Sequence, residues 1–215
     1  ANWDTAQTVT VTGVDDNLVD GTQNSTISIS VVDVISDDTF DAVASQTFSA
    51  SITDDDVAGF TIVELEGSTA VDESGTTDTF TVVLNAQPDS DVVLSITSSD
   101  TGEASSNSPL TFTSSNWDTA QTVTVTGVDD FLLDGTITSD LVVAIVDASS
   151  DNNFDDVADQ TVSVTTTDDD VAGFTVAETE GSTGVTEAGG TDTFTIVLNA
   201  QPDSDVVLSI ISSDT

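Results

Sequence analysis

The chain has 215 residues, with 40 acidic side chains and no Lys, Arg or His, so its formal net charge is −40. A chain of this charge repels phosphates, which excludes electrostatic binding to nucleic acid or to anionic lipid. Cys and Tyr are absent as well, so catalysis would have to use carboxylates and hydroxyls alone, and we expect no enzymatic activity. No apolar run in the sequence is long enough to span a membrane.

The acids are almost all aspartate, since only seven of the 40 are glutamate. Asp is short, favours turns and loop ends, and suits oxygen-only coordination of a hard cation. A chain of this charge would be disordered if it had few apolar residues, but its hydrophobic content is 37% and falls in alternating runs. This composition predicts a β-protein that is stable mainly when cations screen or bind its acids.

The sequence repeats itself with a spacing of 114 residues. Residues 2–16 reappear unchanged at 116–130, and residues 77–96 return at 191–210 with one substitution. Self-similarity at this length indicates tandem complete domains rather than a solenoid of short coils. We predict the C-terminal half of one repeat at 1–56, a complete repeat at 57–170, and the N-terminal part of the next at 171–215. Because the chain starts and stops mid-repeat, we expect it to be a window from a longer array.

Within the complete repeat, apolar and polar residues alternate with a period of two. The predicted strands are Gly59–Glu66, Thr77–Asn85, Asp91–Ser98, Leu110–Thr113, Ala120–Gly127, Ile137–Asp147 and Gln160–Thr167. Segments rich in Gly, Asp, Ser, Asn and Pro separate them, and no helical pattern is present. These features predict an all-β fold of tandem seven-stranded antiparallel immunoglobulin-like sandwiches, arranged head to tail.

The alternation also predicts the core of the complete repeat. The predicted core residues are Phe60, Phe80, Val82, Leu84, Val93, Leu94, Leu110, Phe112, Val123, Val125, Val142, Val143, Ile145 and Val162. Trp3 and Trp117 each precede the fifth strand of a repeat, where we expect them to cap the sandwich by packing.

Strand order brings several groups of acids to one end of the predicted sandwich. The seven predicted strands can be lettered A to G in chain order. In a seven-stranded antiparallel sandwich, the AB, CD and EF loops lie at the same end as the C-terminus. The AB loop carries Asp72 and Glu73, the CD loop carries Asp100 and Glu103, the EF loop carries Asp129, Asp130 and Asp134, and the C-terminal segment carries Asp168, Asp169 and Asp170. Such a cluster supplies the oxygens that Ca²⁺ needs, and without a metal the like charges would repel.

Other acids are open to two interpretations. The pairs Asp89/Asp91 and Asp203/Asp205 fit turn-forming residues better than ligands. Asp147, Asp151 and Asp155, with their counterparts Asp33, Asp37 and Asp41, belong to the loop between the last two strands. That loop lies at the opposite end of the sandwich, so in a head-to-tail array these acids either face the preceding repeat's cluster or are solvated turn residues.

The order of these acids resembles the Calx-β domain, and more closely the Calx-β-like tandem repeats of large bacterial surface proteins and adhesins. The resemblance rests on a Glu in the first loop, on VTVTGVDD-x3-DG and on a terminal DDD, and it covers the whole repeat. It implies a calcium-binding sandwich whose ions sit near the following domain. The ligands it implies are Glu73, Asp129, Asp130, Asp134 and Asp168 to Asp170, with Asp15, Asp16, Asp20, Asp54, Asp55, Asp56 and Glu187 in the partial copies. Asp100 is predicted as a further ligand from the CD loop, although that loop departs from the family pattern because it lacks the usual aspartate–aromatic pair.

These features together predict a structural repeat of an extracellular stalk or filament at the bacterial cell surface. Calcium bound at each inter-domain junction would convert a short linker into a stiff joint, because ions that bind only the aligned folded state stabilise it. The predicted partners are neighbouring repeats of the same chain, with identical chains in a filament as a variant, since exposed edge strands can pair.

A different class of function is a carbohydrate- or surface-binding adhesive module. The scarcity of aromatic residues, with two Trp and no Tyr, argues against sugar binding because stacking and hydrogen-bonding groups are few. The Thr-x-Thr pairs would suit ice binding only on consecutive stacked coils, and here they sit on isolated strands.

Overall fold

The computed structural model describes residues 3–213, apart from the side chain of Glu66. The fold is all-β. The strands are β1 (Gln23–Ile29), β2 (Gln46–Ile52), β3 (Phe60–Glu64), β4 (Thr69–Asp72), β5 (Thr77–Leu84), β6 (Val92–Ser98), β7 (Ala104–Ser106), β8 (Leu110–Phe112), β9 (Gln121–Gly127), β10 (Ile137–Ile145), β11 (Gln160–Thr167), β12 (Phe174–Glu178) and β13 (Phe194–Leu198). Short 3-10 helices lie at Asp33–Ile35, Asp38–Phe40, Leu65–Gly67, Asp147–Ser149, Asn152–Phe154 and Thr179–Gly181. Among the residues described, no helix has the length and apolar character to cross a membrane.

Strands β3 to β11 form two sheets around one apolar core. One sheet has the order β4-β11-β10-β6-β8, and the other has the order β3-β5-β9-β7. Neighbouring strands are antiparallel except β4 and β11, which are parallel. Phe80 and Val123 from one sheet and Leu94 and Leu141 from the other are fully buried in the same cluster. Alternate residues of each strand point inward because side chains of a strand alternate between its faces, which yields the expected sandwich.

The sandwich has nine strands where the sequence predicted seven. The first predicted strand, 59–66, stops at Glu64, and the chain turns through Leu65–Gly67 before β4 begins on the opposite sheet. Gly67 has a φ of +79°, a conformation that ends an extended strand and that glycine adopts without strain. The other additional strand is β7, whose Ala104–Ser106 pairs with β9 although its sequence has no apolar alternation.

Three residues of the predicted core are not fully inside it. Val93, Val142 and Ile145 are only half-buried, whereas Val92 and Leu141 are the fully buried neighbours of the first two. The errors at Val93 and Val142 fall in runs of consecutive apolar residues, where sequence alone does not reveal which alternate set faces inward. The other predicted core residues are buried.

Two hairpins flank the sandwich and correspond to parts of it at the 114-residue spacing. Strands β1 and β2 pair antiparallel, as their counterparts β10 and β11 do. Strands β12 and β13 pair in the same way as β3 and β5. Trp117 packs against the core as expected, but Trp3 is 88% exposed, so its predicted capping role is wrong in this structure. The domain boundaries at 56/57 and 170/171 stay a prediction.

Candidate metal centre

The parallel pairing of β4 with β11 places Glu73 at the C-terminal end of the sandwich. The register continues one residue past β4, since the Glu73 N–H donates to the Thr167 carbonyl at 3.0 Å. Asp72 closes the loop that follows, accepting a hydrogen bond from the Ser74 N–H at 2.9 Å. Glu73 therefore lies beside Asp168, the first residue after β11.

Gly127 allows this loop to lie close against the end of β9. A Cβ atom at this position would clash with the backbone oxygen of Asp72. The Gly127 N–H donates to the Thr76 carbonyl at 3.0 Å. The glycine of the VTVTG motif is thus required by the close approach of two backbones, and this approach brings Glu73 next to the loop that begins after β9.

The loop after β9 is held by the aspartate triplet, which is defined as Asp168 to Asp170. Oδ2 of Asp168 accepts from the Gly135 N–H at 2.8 Å, and Oδ1 accepts from the Asp170 N–H at 2.7 Å. Gly135 has a φ of +79°, the left-handed conformation that the DG pair supplies. Asp130 closes the start of the same loop by accepting from the Leu132 N–H at 2.6 Å.

Five carboxylates meet at this end of the sandwich, and Glu73 lies at their centre. One oxygen each of Glu73, Glu103 and Asp134 lies within 4.8 Å of the others, and the same holds for Glu73, Asp168 and Asp170. Four different segments contribute: the β4–β5 loop, the β6–β7 loop, the β9–β10 loop and the segment after β11. The convergence that strand order predicted is present in the structure.

The two glutamates of this cluster are buried, although both carry charge at neutral pH in water. Oε2 of Glu73, Oε2 of Glu103 and Oδ2 of Asp170 are buried and have no hydrogen-bond partner. Desolvation, followed by repulsion from Asp168 and Glu103, raises the pKa of Glu73 to about 7. Buried oxygens without a donor cost free energy, and a bound cation would satisfy them.

Desolvation also raises the pKa of two other acids in the cluster. For Glu103 the next causes are repulsion from Asp134 and Asp100. For Asp170 the next causes are its neighbours Asp168 and Asp169. Desolvation and repulsion disfavour the charged form of each acid, which is why its pKa rises. The folded protein without metal therefore holds these carboxylates in an unfavourable state.

The remaining predicted ligands of the complete repeat border the cluster. Asp129 and Asp130 act on it through repulsion of Asp170, and so does the exposed Asp169. Among the described residues, the two groups of close carboxylates contain Glu103 and not Asp100. Oδ1 of Asp100 instead accepts from the Gly102 N–H at 3.0 Å. The contribution of the β6–β7 loop thus comes from Glu103, three residues beyond the acid that sequence reasoning favoured.

The N-terminal partial copy repeats one half of this arrangement. Oδ2 of Asp54 accepts from the N–H groups of Asp20 and Gly21 at 3.0 and 2.7 Å, and Oδ1 accepts from the Asp56 N–H at 2.8 Å. These bonds lower the pKa of Asp54. The acids that line one cavity here are Asp15, Asp16, Asp20, Asp54 and Asp55. Desolvation and repulsion from Asp54, Asp55, Asp15 and Asp16 raise the pKa of Asp56.

Glu187, the counterpart of Glu73 in the C-terminal partial copy, is exposed. Among the described residues it is not part of a group of close carboxylates. One of the acids at the opposite end of the sandwich has structural contacts instead. Asp151 is buried and accepts from the N–H groups of Ser90 and Asn153, both at 2.9 Å, so it connects two loops.

The chemistry of the cluster fits a hard cation. Every candidate ligand is a carboxylate oxygen, and the chain has no His or Cys to form a zinc-type site. Ca²⁺ takes about six to eight oxygen ligands at flexible distances, whereas Mg²⁺ demands a near-ideal octahedron. Carboxylates from four separate segments, three of whose oxygens are buried without a donor, could supply such a set of oxygen ligands.

No protein-family model matches the chain, and no curated protein matches it. Solved structures do show similarity. The apo-form Calx CBD1 domain is 14% identical over 52% of this chain and 98% of its own, with a TM-score of 0.37. CBD12 from CALX1.2 is 17% identical over 59% of this chain and 51% of its own, with a TM-score of 0.37. The E. coli chaperone DraB is 8% identical over 68% and 89%, also with a TM-score of 0.37. None of these similarities assigns a ligand or an activity to the chain.

Proposed function

We propose that the chain is part of a structural repeat array, a stalk or filament outside the cell, whose joints are stiffened by calcium. The supporting observation is the cluster of Glu73, Glu103, Asp134, Asp168 and Asp170, with three buried oxygens that have no donor. In this proposal the chain is not an enzyme. Its partners are the neighbouring repeats, with identical chains as further partners if the array is a filament.

The position of the cluster connects metal binding to the joint. The aspartate triplet supplies two of the close carboxylates and is separated from β12 by only Val171 to Gly173. A cation held by Asp168 and Asp170 would bind to the segment that leads into the next repeat. It would therefore restrict that segment as well as the loops of the preceding sandwich. A metal that binds only this folded arrangement stabilises it by mass action.

Location outside the cell is part of the proposal and is compatible with the affinity of known extracellular calcium modules. Extracellular calcium modules bind with dissociation constants on the order of 10⁻⁴ to 10⁻³ M, which suits external fluids. With calcium absent the acids would repel, and the joint would loosen. The resemblance to tandem repeats of bacterial surface proteins, carried by VTVTGVDD-x3-DG and DDD, supports an adhesin-type stalk.

The test is a thermal melt of the full chain with excess calcium and with chelator, followed by small-angle X-ray scattering in both conditions. We expect calcium to raise Tm by several degrees, since a ligand at about 100 times its Kd adds about 2.7 kcal/mol. We also expect the scattering to show a more extended particle. Equal Tm and equal scattering in both conditions would overturn the proposal.

A pair of isosteric variants sharpens this test. Glu73→Gln removes a buried charge but keeps the shape of the side chain. We expect it to raise Tm in chelator, because repulsion is relieved, and to reduce the calcium-induced gain in Tm. The matched control is Glu187→Gln, whose side chain is exposed and which should change neither value. A Glu73→Gln protein with an unchanged calcium response would show that Glu73 is not a ligand.

A further inference from the structure

A backbone contact joins each repeat to the next in this structure. Leu18 forms a parallel β-bridge with Gln87, and Leu132 forms the same bridge with Gln201. At the first junction the Gln87 N–H donates to the Asn17 carbonyl at 2.7 Å, and the Val19 N–H donates to the Gln87 carbonyl at 3.1 Å. At the second junction the Gln201 N–H donates to the carbonyl of Phe131 at 2.6 Å.

The two contacts share the bridge and the hydrogen bond from the Gln N–H, and these positions in the second lie 114 residues after their counterparts in the first. Among the described residues, the bond from the Val19 N–H belongs to the first junction alone. The donors and acceptors are backbone groups, so the contact does not depend on which side chain occupies each position. Its recurrence at both junctions makes it a property of the repeat and not of one segment.

Side chains add apolar packing to this contact. Val19 packs against the hydrophobic core of the complete repeat. Its counterpart Leu133 borders a cavity whose other walls come from the following repeat, among them Phe174, Leu198 and Pro202. The three residues between the paired aspartates and the Asp-Gly turn are Asn-Leu-Val in one copy and Phe-Leu-Leu in the other. Val19 is half-buried by this packing, whereas Leu133 remains 46% exposed.

The receiving face belongs to the N-terminal end of the following repeat. Besides Gln87 it includes Asn153, whose Nδ2 donates to the Val19 carbonyl at 2.6 Å. Asp151 holds this face together, because its carboxylate accepts from the N–H groups of Ser90 and Asn153. The loop between β10 and β11 therefore faces the preceding repeat through Asn153, while Asp151 is used internally.

We infer that residues 17–19 and 131–133 form a docking surface whose partner is the following repeat, and that this docking holds without metal. The inference rests on the tandem arrangement proposed above. None of the contacts uses a carboxylate as a bridge across the junction. In the DD-x3-DG motif the acids therefore serve the metal centre, while the three central residues serve the joint.

The same loop connects the docking surface to the metal centre. Asp16 Oδ1 accepts from the Leu18 N–H at 2.9 Å, and the Asp20 N–H donates to Asp54 at 3.0 Å. A cation bound on the acidic side would hold the backbone that presents Asn17 to Val19 on the other side. Calcium is thus expected to strengthen a joint that already exists, rather than to create it.

Amide hydrogen exchange of the full chain in chelator tests this inference. The amides of Gln87 and Gln201 should be protected by roughly tenfold or more over exposed amides, because each donates across a junction. Val19→Ser should accelerate exchange at Gln87 by a similar factor and leave Gln201 unchanged. Leu133→Ser should do the reverse. Each junction is thus the internal control for the other, and Val34→Ser, whose parent side chain is 91% exposed, is the control for surface substitution.

Three outcomes would overturn the inference. The first is unprotected Gln87 and Gln201 amides in the wild-type chain with chelator. The second is protection that appears only with calcium, and the third is protection that Val19→Ser and Leu133→Ser leave intact. The calcium-induced change in Tm, measured on the same samples, separates this inference from the proposed function. Protected amides without a calcium response would retain the docking and reject the calcium joint, and the opposite pattern would reject only the docking.

Discussion

The complete repeat and the partial repeats share long stretches of sequence but differ greatly in burial. Phe60 is 3% exposed, whereas its counterpart Phe174 is 53% exposed; Phe80 is fully buried, whereas Phe194 is 41% exposed. The pairing of β12 with β13 nevertheless matches that of β3 with β5. The two hairpins therefore share one register, but burial requires the opposite sheet, which only the complete repeat has among the described residues.

The acids follow the same rule. The aspartates after β2 and β11 make equivalent hydrogen bonds to the Asp-Gly turn, with Gly21 at 2.7 Å in one copy and Gly135 at 2.8 Å in the other. Among the described residues, however, the buried glutamates are found only in the complete repeat. Glu73 and Glu103 come from loops that the N-terminal copy lacks, and Glu187 of the C-terminal copy is exposed. The aspartate half of the centre is local in sequence, and the glutamate half depends on the assembled sandwich.

The largest expected effect comes from the paired substitutions Phe80→Ala and Phe194→Ala. Both residues lie in the sequence TDTFT. Truncating the fully buried Phe80 should lower the free energy of unfolding of the sandwich by about 3–5 kcal/mol. Phe194→Ala should change it by less than about 1 kcal/mol, since its side chain is outside that core. Chemical denaturation measures both, and equal losses would show that the two copies do not differ in burial.

A smaller loss is expected at the glycine of the VTVTG motif. Gly127→Ala places a Cβ against the Asp72 carbonyl and should cost about 1–3 kcal/mol, because the backbone of the β4–β5 loop must shift. The same shift moves Glu73, so the calcium-induced rise in Tm should fall as well. At Gly13, the nearest atom to a new Cβ is Ile52 Cγ2 at 4.0 Å. Gly13→Ala is thus the matched control, and a loss as large as that of Gly127→Ala would refute the steric explanation.

The smallest effect concerns pH in the absence of metal. The pKa of Glu73 is raised in the folded state from 4.5 to about 7, so the folded protein binds more protons than the unfolded chain in this interval. Stability in chelator is therefore greatest below pH 4.5 with respect to this group, and it falls as pH rises to about 7. Raised pKa values of Glu103 and Asp170 act in the same direction.

Glu73→Gln should reduce this pH dependence by on the order of 1 kcal/mol, because its neighbours retain their own share. Urea denaturation at pH 5 and pH 7.5 in chelator measures the difference. Glu187→Gln should keep the wild-type slope. With saturating calcium the slope should reverse, because metal binding requires ionised carboxylates and competes with protons. A slope that Glu73→Gln does not alter would mean that this side chain is not the titrating group.

Much of the fold is readable from alternation, and the exceptions have identifiable causes. The run Gln160–Thr167 is a strand with the predicted bounds. Ala104–Ser106 has no apolar pattern, and it is a strand because its backbone pairs with β9. The consecutive apolar residues at Val92 and Val93 do not define which side faces inward. The first predicted strand ends early, at Glu64, since Leu65–Gly67 turns and a positive φ at Gly67 redirects the chain.

The residues that form the two β-bridges, Leu18 with Gln87 and Leu132 with Gln201, were not predicted from the sequence. Asn17 to Val19 stand between acids that dominate the interpretation of the motif, and Gln87 lies in a turn whose acids suggested only solvation. Their contact links positions about 70 residues apart in sequence. The signal that could have found them is the run of apolar residues at 18–19 and at 131–133, which stands between acids in both copies.

The sequence by itself determined the repeat length, the all-β character and the convergence of acidic loops at one end, because periodicity and strand order are encoded locally and in chain order. Only the tertiary structure decided which carboxylates meet, which apolar faces are covered and where consecutive repeats touch. Those features depend on distances between segments far apart in the chain. The choice of Glu103 over Asp100, and the bridge between Leu18 and Gln87, arise only when both sheets and the following repeat are in place.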